Sequence, residues 1–199
     1  HPAQRAILRA GLEVDPAGFQ LVSHGNRRDR AAERRQLIGQ AGQGFKAAMA
    51  AFDIFRPSVG GAGVGLARRA LHETLAHTDK RRLFGKSMHS LEGVQMALAE
   101  MATDLEGAAL LVYRAAWAHD VRGERGAYEA CMAKLAGSEA AGRIVDRAVQ
   151  LLGGQGVTRG NIIEQLYREA RPMRIYEGAS EIQKLVIARN LIKNSLPQA

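Results

Sequence analysis

The sequence predicts an all-α fold, an antiparallel helical bundle preceded by a short irregular or extended segment. Three observations predict it. Beyond about residue 40, apolar residues recur at helical spacing. Strand-like alternation is scarce in the same stretch. Five prolines in 199 residues leave room for long helices, which an interior proline would otherwise break.

The elements follow in chain order. Residues 1–40 read as a remnant or linker segment and 41–199 as the helical bundle domain. Within the first, Leu12 to Val22 reads as a turn between two short extended pieces. The Arg-rich stretch 23–36 has few apolar residues to bury and reads as a mobile linker or a solvated helix. From Gln43 to about His77, Phe45, Met49, Phe52, Phe55, Val59, Val64, Leu66 and Leu71 keep helical spacing. Pro57 and Gly60-Gly61 threaten a kink there, so one long irregular helix or two shorter ones fit. A second helix is expected from about Met88 to Asp120, with Leu91, Val94, Leu98, Met101, Leu105, Ala108 and Val112 as its buried stripe. A third covers Arg125 to Leu152, where Ala127, Ala130, Ala133, Ala136, Gly137, Ala140 and Ala141 allow a neighbour to approach closely, and Gly153-Gly154 end it. A short helix at Ile162 to Ala170 and a last one from Glu181 to Lys193 complete the set. Ser180 and Gln183 have the spacing of a capping box, which places the start of that last helix. Long helices with short connections imply antiparallel neighbours.

Composition weighs against several function classes. A net charge of +8 invites a nucleic-acid partner. Acids interrupt the basic runs Arg27-Arg28-Asp29-Arg30 and Glu33-Arg34-Arg35, however, and no zinc-finger spacing or RNA-binding aromatic motif accompanies them, so a solvated face is the better reading. The six His residues form no pair at i, i+4, so no metal site is expected. No apolar run approaches the roughly 18 residues of a membrane span, and the first residues form no signal peptide. Cys131 is the sole cysteine, which fits a reducing compartment: the cytoplasm, with the mitochondrial matrix as the alternative.

The most informative stretch is Arg174-Ile175-Tyr176-Glu177-Gly178-Ala179-Ser180-Glu181-Ile182-Gln183. It sets a carboxylate beside a glycine just before a helix opens. Gly178 can take a positive φ and lets a ligand approach the backbone. An ordinary helix start with an exposed glutamate explains the same residues. Local chemistry leaves both readings open.

Five further landmarks accompany that stretch. They are Gly44-Phe45-Lys46, Phe52-Asp53-Ile54-Phe55-Arg56-Pro57, Arg81-Arg82-Leu83-Phe84-Gly85-Lys86, Leu98-Ala99-Glu100-Met101 and Gln150-Leu151-Leu152-Gly153-Gly154-Gln155-Gly156. Together, in this order, they resemble the C-terminal helical domain of the flavin-dependent acyl-CoA dehydrogenases over residues 42–194. Leu12 to Val22 is similar to the end of that family's middle β-domain. The resemblance therefore implies an acyl-CoA dehydrogenase present as a C-terminal fragment or a shortened subunit.

By this resemblance Glu177 is the catalytic base, taking the α-proton of an acyl-CoA thioester while the β-hydride leaves for the flavin of FAD. A carboxylate stripped of water by an acyl chain is a stronger base. Some branches of the family carry the base near the position of the Phe45 to Arg56 region, but no Glu lies there in this chain. The Glu177 N–H would help hold the thioester carbonyl, and Gly178 would lie against the substrate. Asp53 and Arg56 match positions that contact the CoA portion, although an i, i+3 pair on a helix surface explains them equally. Arg81 and Phe84 match the loop that grips the flavin dinucleotide, a guanidinium suiting the pyrophosphate. Gln150 and Gly154 match the segment that meets the adenosine half of FAD from a neighbouring subunit. Ala179 and Glu181 are expected on the cofactor side of the same loop.

The chain departs from the family pattern at Leu83, where a polar residue is frequent, at Glu92, where a Gln is usual, and at Ala179, where a Thr is common. The implied partners are an acyl-CoA substrate, other copies of the chain in a homo-oligomer, and an electron-transferring flavoprotein as acceptor. Two alternatives remain. One is a non-catalytic helical subunit of the same family that lends FAD contacts to a full-length dehydrogenase, and the other is a binder of nucleic acid or acidic partners through the Arg-rich stretch.

Overall fold

The computed structural model describes residues 12–14, 21–23, 43–123 and 126–196. The chain divides into two units, His1–Phe52 and Asp53–Ala199. In the first, β1 (Leu12–Val14) pairs antiparallel with β2 (Leu21–Ser23), Glu13 facing Val22. The two extended pieces expected there are thus partners in one ribbon. The turn between them, and the Arg-rich stretch beyond Ser23, lie outside the described residues.

The helices are α1 (Gly44–Lys80), α2 (Glu92–Asp120), α3 (Ala127–Leu152), α4 (Ile162–Ala170) and α5 (Ser180–Ser195). Helix α1 runs unbroken through Pro57 and Gly60-Gly61, so one long helix forms where a kink or two shorter helices were also possible. Packing supplies the reason. Gly60 and Gly63 are buried against α3: a Cβ on Gly60 would fall 2.5 Å from the Ala133 carbonyl oxygen, and one on Gly63 would fall 2.5 Å from that of Gly137. Reciprocally, a Cβ on Gly137 would strike the Gly60 carbonyl. Backbone meets backbone along this seam, and the contact offsets the poor helix propensity of the glycines. The paired positions rise together along both helices, so α1 and α3 run in the same direction.

Helix α3 is the hub of the second unit. It packs against α2 on one side and against α4 and α5 on others. The short 121–126 connection makes α2 and α3 antiparallel. The core lies where Val64 and Ala67 of α1, Met101 and Leu105 of α2, Ile144 and Val145 of α3, and Ile163 and Leu166 of α4 meet. The α2 stripe expected from the period is present, with Val94, Met101, Leu105 and Ala108 buried.

Between α1 and α2 the chain makes a feature that helical periodicity does not show. A minimal hairpin pairs β3 (Arg82–Leu83) with β4 (Lys86–Ser87), turning at Phe84 and Gly85, whose φ values are 52° and 77°. Two consecutive left-handed residues suit a two-residue turn. A 3-10 turn, Met88–Ser90, then precedes α2, which therefore starts at Glu92 and not at Met88. Asn161 caps α4 by accepting from the Ile163 N–H at 2.9 Å. Among the described residues no helix is long and apolar enough to cross a membrane.

The glycine seam is directly testable. Gly137→Ala should destabilise the protein by about 1–3 kcal/mol or more in urea unfolding, because neither backbone can yield cheaply. Gly65→Ala, on α1 where an added Cβ meets nothing within 4 Å, should instead stabilise by about 0.5–1 kcal/mol.

Candidate active site

Glu177 and Gly178 occupy the short connection between the 3-10 turn Arg171–Arg174 and α5. Both backbones are left-handed, with φ of 57° and 91°. Glycine adopts this conformation freely. A glutamate holds it only where its surroundings impose it. Three helices do so here. From α1, Arg56 Nε donates to the Glu177 carbonyl at 3.3 Å. From α5, Gln183 Nε2 donates to the same carbonyl at 3.0 Å and to that of Gly178 at 2.9 Å. From α3, Lys134 Nζ donates to the Gly178 carbonyl at 2.8 Å. Lys134 and Gln183 have 0% exposure, and the bonds they make to the half-buried loop are partly shielded from water. A Cβ on Gly178 would lie 2.6 Å from Gln183 Nε2, so the clamp itself requires glycine there.

The Glu177 side chain is half-buried, and its Oε2 is fully buried with no hydrogen-bond partner among the described residues. Gln183 Oε1 is in the same condition. Unsatisfied buried acceptors are uncommon and costly.

Charged groups surround the loop. Arg56 is buried; its NH1 donates to Cys131 Sγ at 3.3 Å and lies 3.9 Å from Asp53 Oδ1. Burial holds the Lys134 amine below its ordinary range, with the carboxylate of Glu139 opposing, Arg56 reinforcing and Glu177 opposing. Burial also pushes the Cys131 thiol up, against the influence of Arg56. On the far side of the loop, Glu139 accepts from Arg174 Nε at 2.9 Å and from Ser180 Oγ at 2.5 Å, and Arg174 NH2 reaches its other oxygen at 2.9 Å.

This arrangement corrects the capping box. Ala179, not Ser180, occupies the N-cap position, and no side chain caps α5. The reason is competition: a charged, half-buried acceptor, Glu139, takes the Ser180 hydroxyl, and the loop carbonyls take the Gln183 amide.

The residues singled out from the sequence fall into two groups. Asp53, Arg56, Glu177 and Gly178 meet at the clamp, with Ala179 at the head of α5 and Glu181 exposed in its first turn. Arg81, Gln150 and Gly154 together line a cavity of about 500 Å³, which Leu83 of the hairpin also borders. Phe84, next to Leu83, is 91% exposed. A Cβ on Gly154 would meet nothing within 4 Å, so packing within the chain does not demand glycine there. Among the described residues no group of His, Cys, Asp or Glu could hold a metal ion. Lys134 was not singled out from the sequence. Its signal was present, since it stands one turn after Ala130 and one before Ser138 on the face of α3 that the helical period buries.

Comparison with known proteins gives concordant matches. A family model described as acyl-CoA dehydrogenase, C-terminal domain, matches residues 42–192. The short-chain specific acyl-CoA dehydrogenase, mitochondrial, of Sus scrofa is 40% identical over 195 residues, covering 97% of this chain and 47% of the relative. The solved butyryl-CoA dehydrogenase of Megasphaera elsdenii superposes with a TM-score of 0.74 at 32% identity, over 77% of this chain and 40% of that one. The FAD complex of PigA gives a TM-score of 0.74 at 30% identity, with the same 77% and 40% coverage. The chain thus spans about half the length of the curated relatives it matches.

The Glu139 cluster predicts an acid-limb dependence. The carboxyl is pushed up by burial, but hydrogen bonds from Ser180 and Arg174, with the charges of Arg174 and Lys184, bring it below its ordinary range. A group whose folded value is depressed contributes stability above its unfolded value, about 4.3 for glutamate, and loses it as the pH falls through the folded value. Thermal midpoints measured between about pH 6 and pH 3 should therefore fall less steeply in Glu139→Gln than in the unaltered chain.

Proposed function

The chain belongs to the acyl-CoA dehydrogenase family through its C-terminal domain, and on that premise we propose that it carries the catalytic base of an FAD-dependent acyl-CoA dehydrogenase. Glu177 removes the α-proton of an acyl-CoA thioester. The observation that carries this reading is the half-buried Glu177 side chain, its Oε2 without a hydrogen-bond partner among the described residues, on a loop tied down from three helices. The same atom disfavours the non-catalytic alternative, because a chain with no use for the carboxylate would bear the cost of an unsatisfied buried acceptor for nothing.

FAD, when bound, supplies the acceptor for the β-hydride. The chain's own residues fit such a group. Arg81 sets an exposed cation at the 500 Å³ cavity, suited to a pyrophosphate. Gln150 offers an amide, and the open space over Gly154 leaves room for a flat group. Phe84 presents an uncovered ring at the hairpin tip. Ala179 and Glu181 are the residues proposed to approach the cofactor from the loop side. The solved FAD complex of PigA, a structural neighbour, supports FAD as the group concerned.

On the substrate side, Gly178 lies against the acyl thioester, and the Glu177 N–H holds its carbonyl, a fixed donor where negative charge develops. Asp53 and Arg56 serve the CoA-bearing substrate. Arg56 is buried against the Glu177 carbonyl, so its influence runs through the loop. The chain acts in a homo-oligomer and passes electrons to an electron-transferring flavoprotein. Leu110, Tyr113 and Trp117, exposed at helical spacing on α2, supply apolar surface for assembly. The proposed compartment is the cytoplasm, with the mitochondrial matrix as the alternative that the mitochondrial relative supports.

The test is spectroscopic. Flavin-loaded protein should bleach on addition of acyl-CoA. Glu177→Gln should retain the flavin and bleach about 10²–10⁴-fold more slowly, the range for loss of a positioned base. Bleaching of the variant at the unaltered rate would remove the assignment.

A further inference from the structure

Lys134 is fully buried on α3, on a face otherwise built from Ala130, Ala133, Gly137, Ser138 and Ala141. Every other residue of that face is small or uncharged. An ammonium in such a place costs stability unless it is well paired, and a methionine of similar length would avoid the cost. Satisfying the Gly178 carbonyl does not explain it, because Gln183 Nε2 already donates to that oxygen at 2.9 Å. Lys134 adds a second, charge-assisted bond at 2.8 Å to the same atom. That bond comes from a different helix than the first, so the carbonyl is fixed in direction as well as satisfied.

The fixed atom lies one residue beyond a strained one. Glu177 is left-handed, a conformation that costs a non-glycine residue and that relaxes unless the backbone beside it is held. Arg56 and Gln183 hold the Glu177 carbonyl. Lys134 and Gln183 hold the next one. A change of φ at Glu177 would swing the carboxylate away from the position where its Oε2 is buried.

We propose that Lys134 is a positioning residue for Glu177: its bond to the Gly178 carbonyl keeps the two successive left-handed residues in place and so keeps the carboxylate aimed at the substrate's α-carbon. Lys134 does not touch the reacting atoms and exchanges no proton in the reaction. This role rests on the proposed base function of Glu177.

The experiment compares the unaltered protein, Lys134→Met and Lys134→Gln, each loaded with flavin. Amide hydrogen exchange is followed in residues 176–180 of the loop and in residues 140–148 of the α3 core. In Lys134→Met the loop should exchange about tenfold faster or more, the effect of losing one charge-assisted hydrogen bond, while the core changes far less. The kcat should fall by a comparable factor with KM altered less than about threefold, because the loss is of alignment and not of binding. Lys134→Gln, which keeps a polar donor, should lie between the two on both measures. Unchanged loop exchange, loop exchange that rises only in step with the core, or kcat that fails to follow loop exchange across the three proteins would each overturn the proposal. Should Lys134→Met not fold, Lys134→Gln against the unaltered protein decides the matter by the same criteria. The exchange measurement needs no turnover. If Glu177→Gln proved fully active, the dehydrogenase reading would fall, while the loop-exchange result would still report separately on whether Lys134 holds the loop.

Discussion

The structure depends on a clamp on two adjacent carbonyl oxygens. Arg56 from α1, Lys134 from α3 and Gln183 from α5 converge on the carbonyls of Glu177 and Gly178. The clamp works because α1 and α3 approach so closely that backbone packs on backbone at Gly60, Gly63 and Gly137. That seam lies one turn beyond Arg56 and brings its guanidinium within 3.3 Å of Cys131 Sγ on α3. Helix packing thus sets the reach of the side chains, the side chains set the backbone of the loop, and the loop sets the carboxylate.

Two other constraints tie into the same place. Glu139, one turn and a residue beyond Lys134 on α3, gathers Arg174 and Ser180 and so fixes where the chain leaves the 3-10 turn and where α5 begins. Gly178 is confined both by its own φ and by the amide of Gln183, which leaves no room for a side chain. The Arg81, Gln150 and Gly154 cavity is built differently. It is open, and packing among the described residues does not require glycine at Gly154.

Much of the fold could be read in advance because helices write their period into the apolar residues. The α2 stripe and the exact span of α4, Ile162–Ala170, follow from that period and from turn chemistry at the ends. What could not be read was non-periodic. The hairpin at Arg82–Ser87 has strands of two residues, too short for any alternation to register. The continuity of α1 through Pro57 depends on glycine packing against a partner that lies about 75 positions away in sequence, as Arg56 and Cys131 do. At the site, the Ser180 and Gln183 spacing was visible but its meaning was not, since Glu139, 41 residues upstream of Ser180, takes the hydroxyl that a cap would have used. Family resemblance singled out Glu177, Arg56 and Gly178, which the structure brings together. Local residue chemistry alone left Glu177 indistinguishable from a solvated helix-start glutamate, because burial of Oε2 is a property of the assembled loop.

In the proposed reaction the Glu177 carboxylate is held against the α-carbon of an acyl thioester. The most direct measurement is a crystal structure of the flavin-loaded protein with a non-reactive acyl-CoA analogue bound. The account predicts a Glu177 carboxylate oxygen about 3–3.5 Å from the α-carbon, the separation of reacting atoms in a productive complex, with the Glu177 and Gly178 carbonyls still tied to Arg56, Lys134 and Gln183. An analogue seated with its α-carbon beyond the reach of Glu177, or another acid in contact with that carbon, would contradict it.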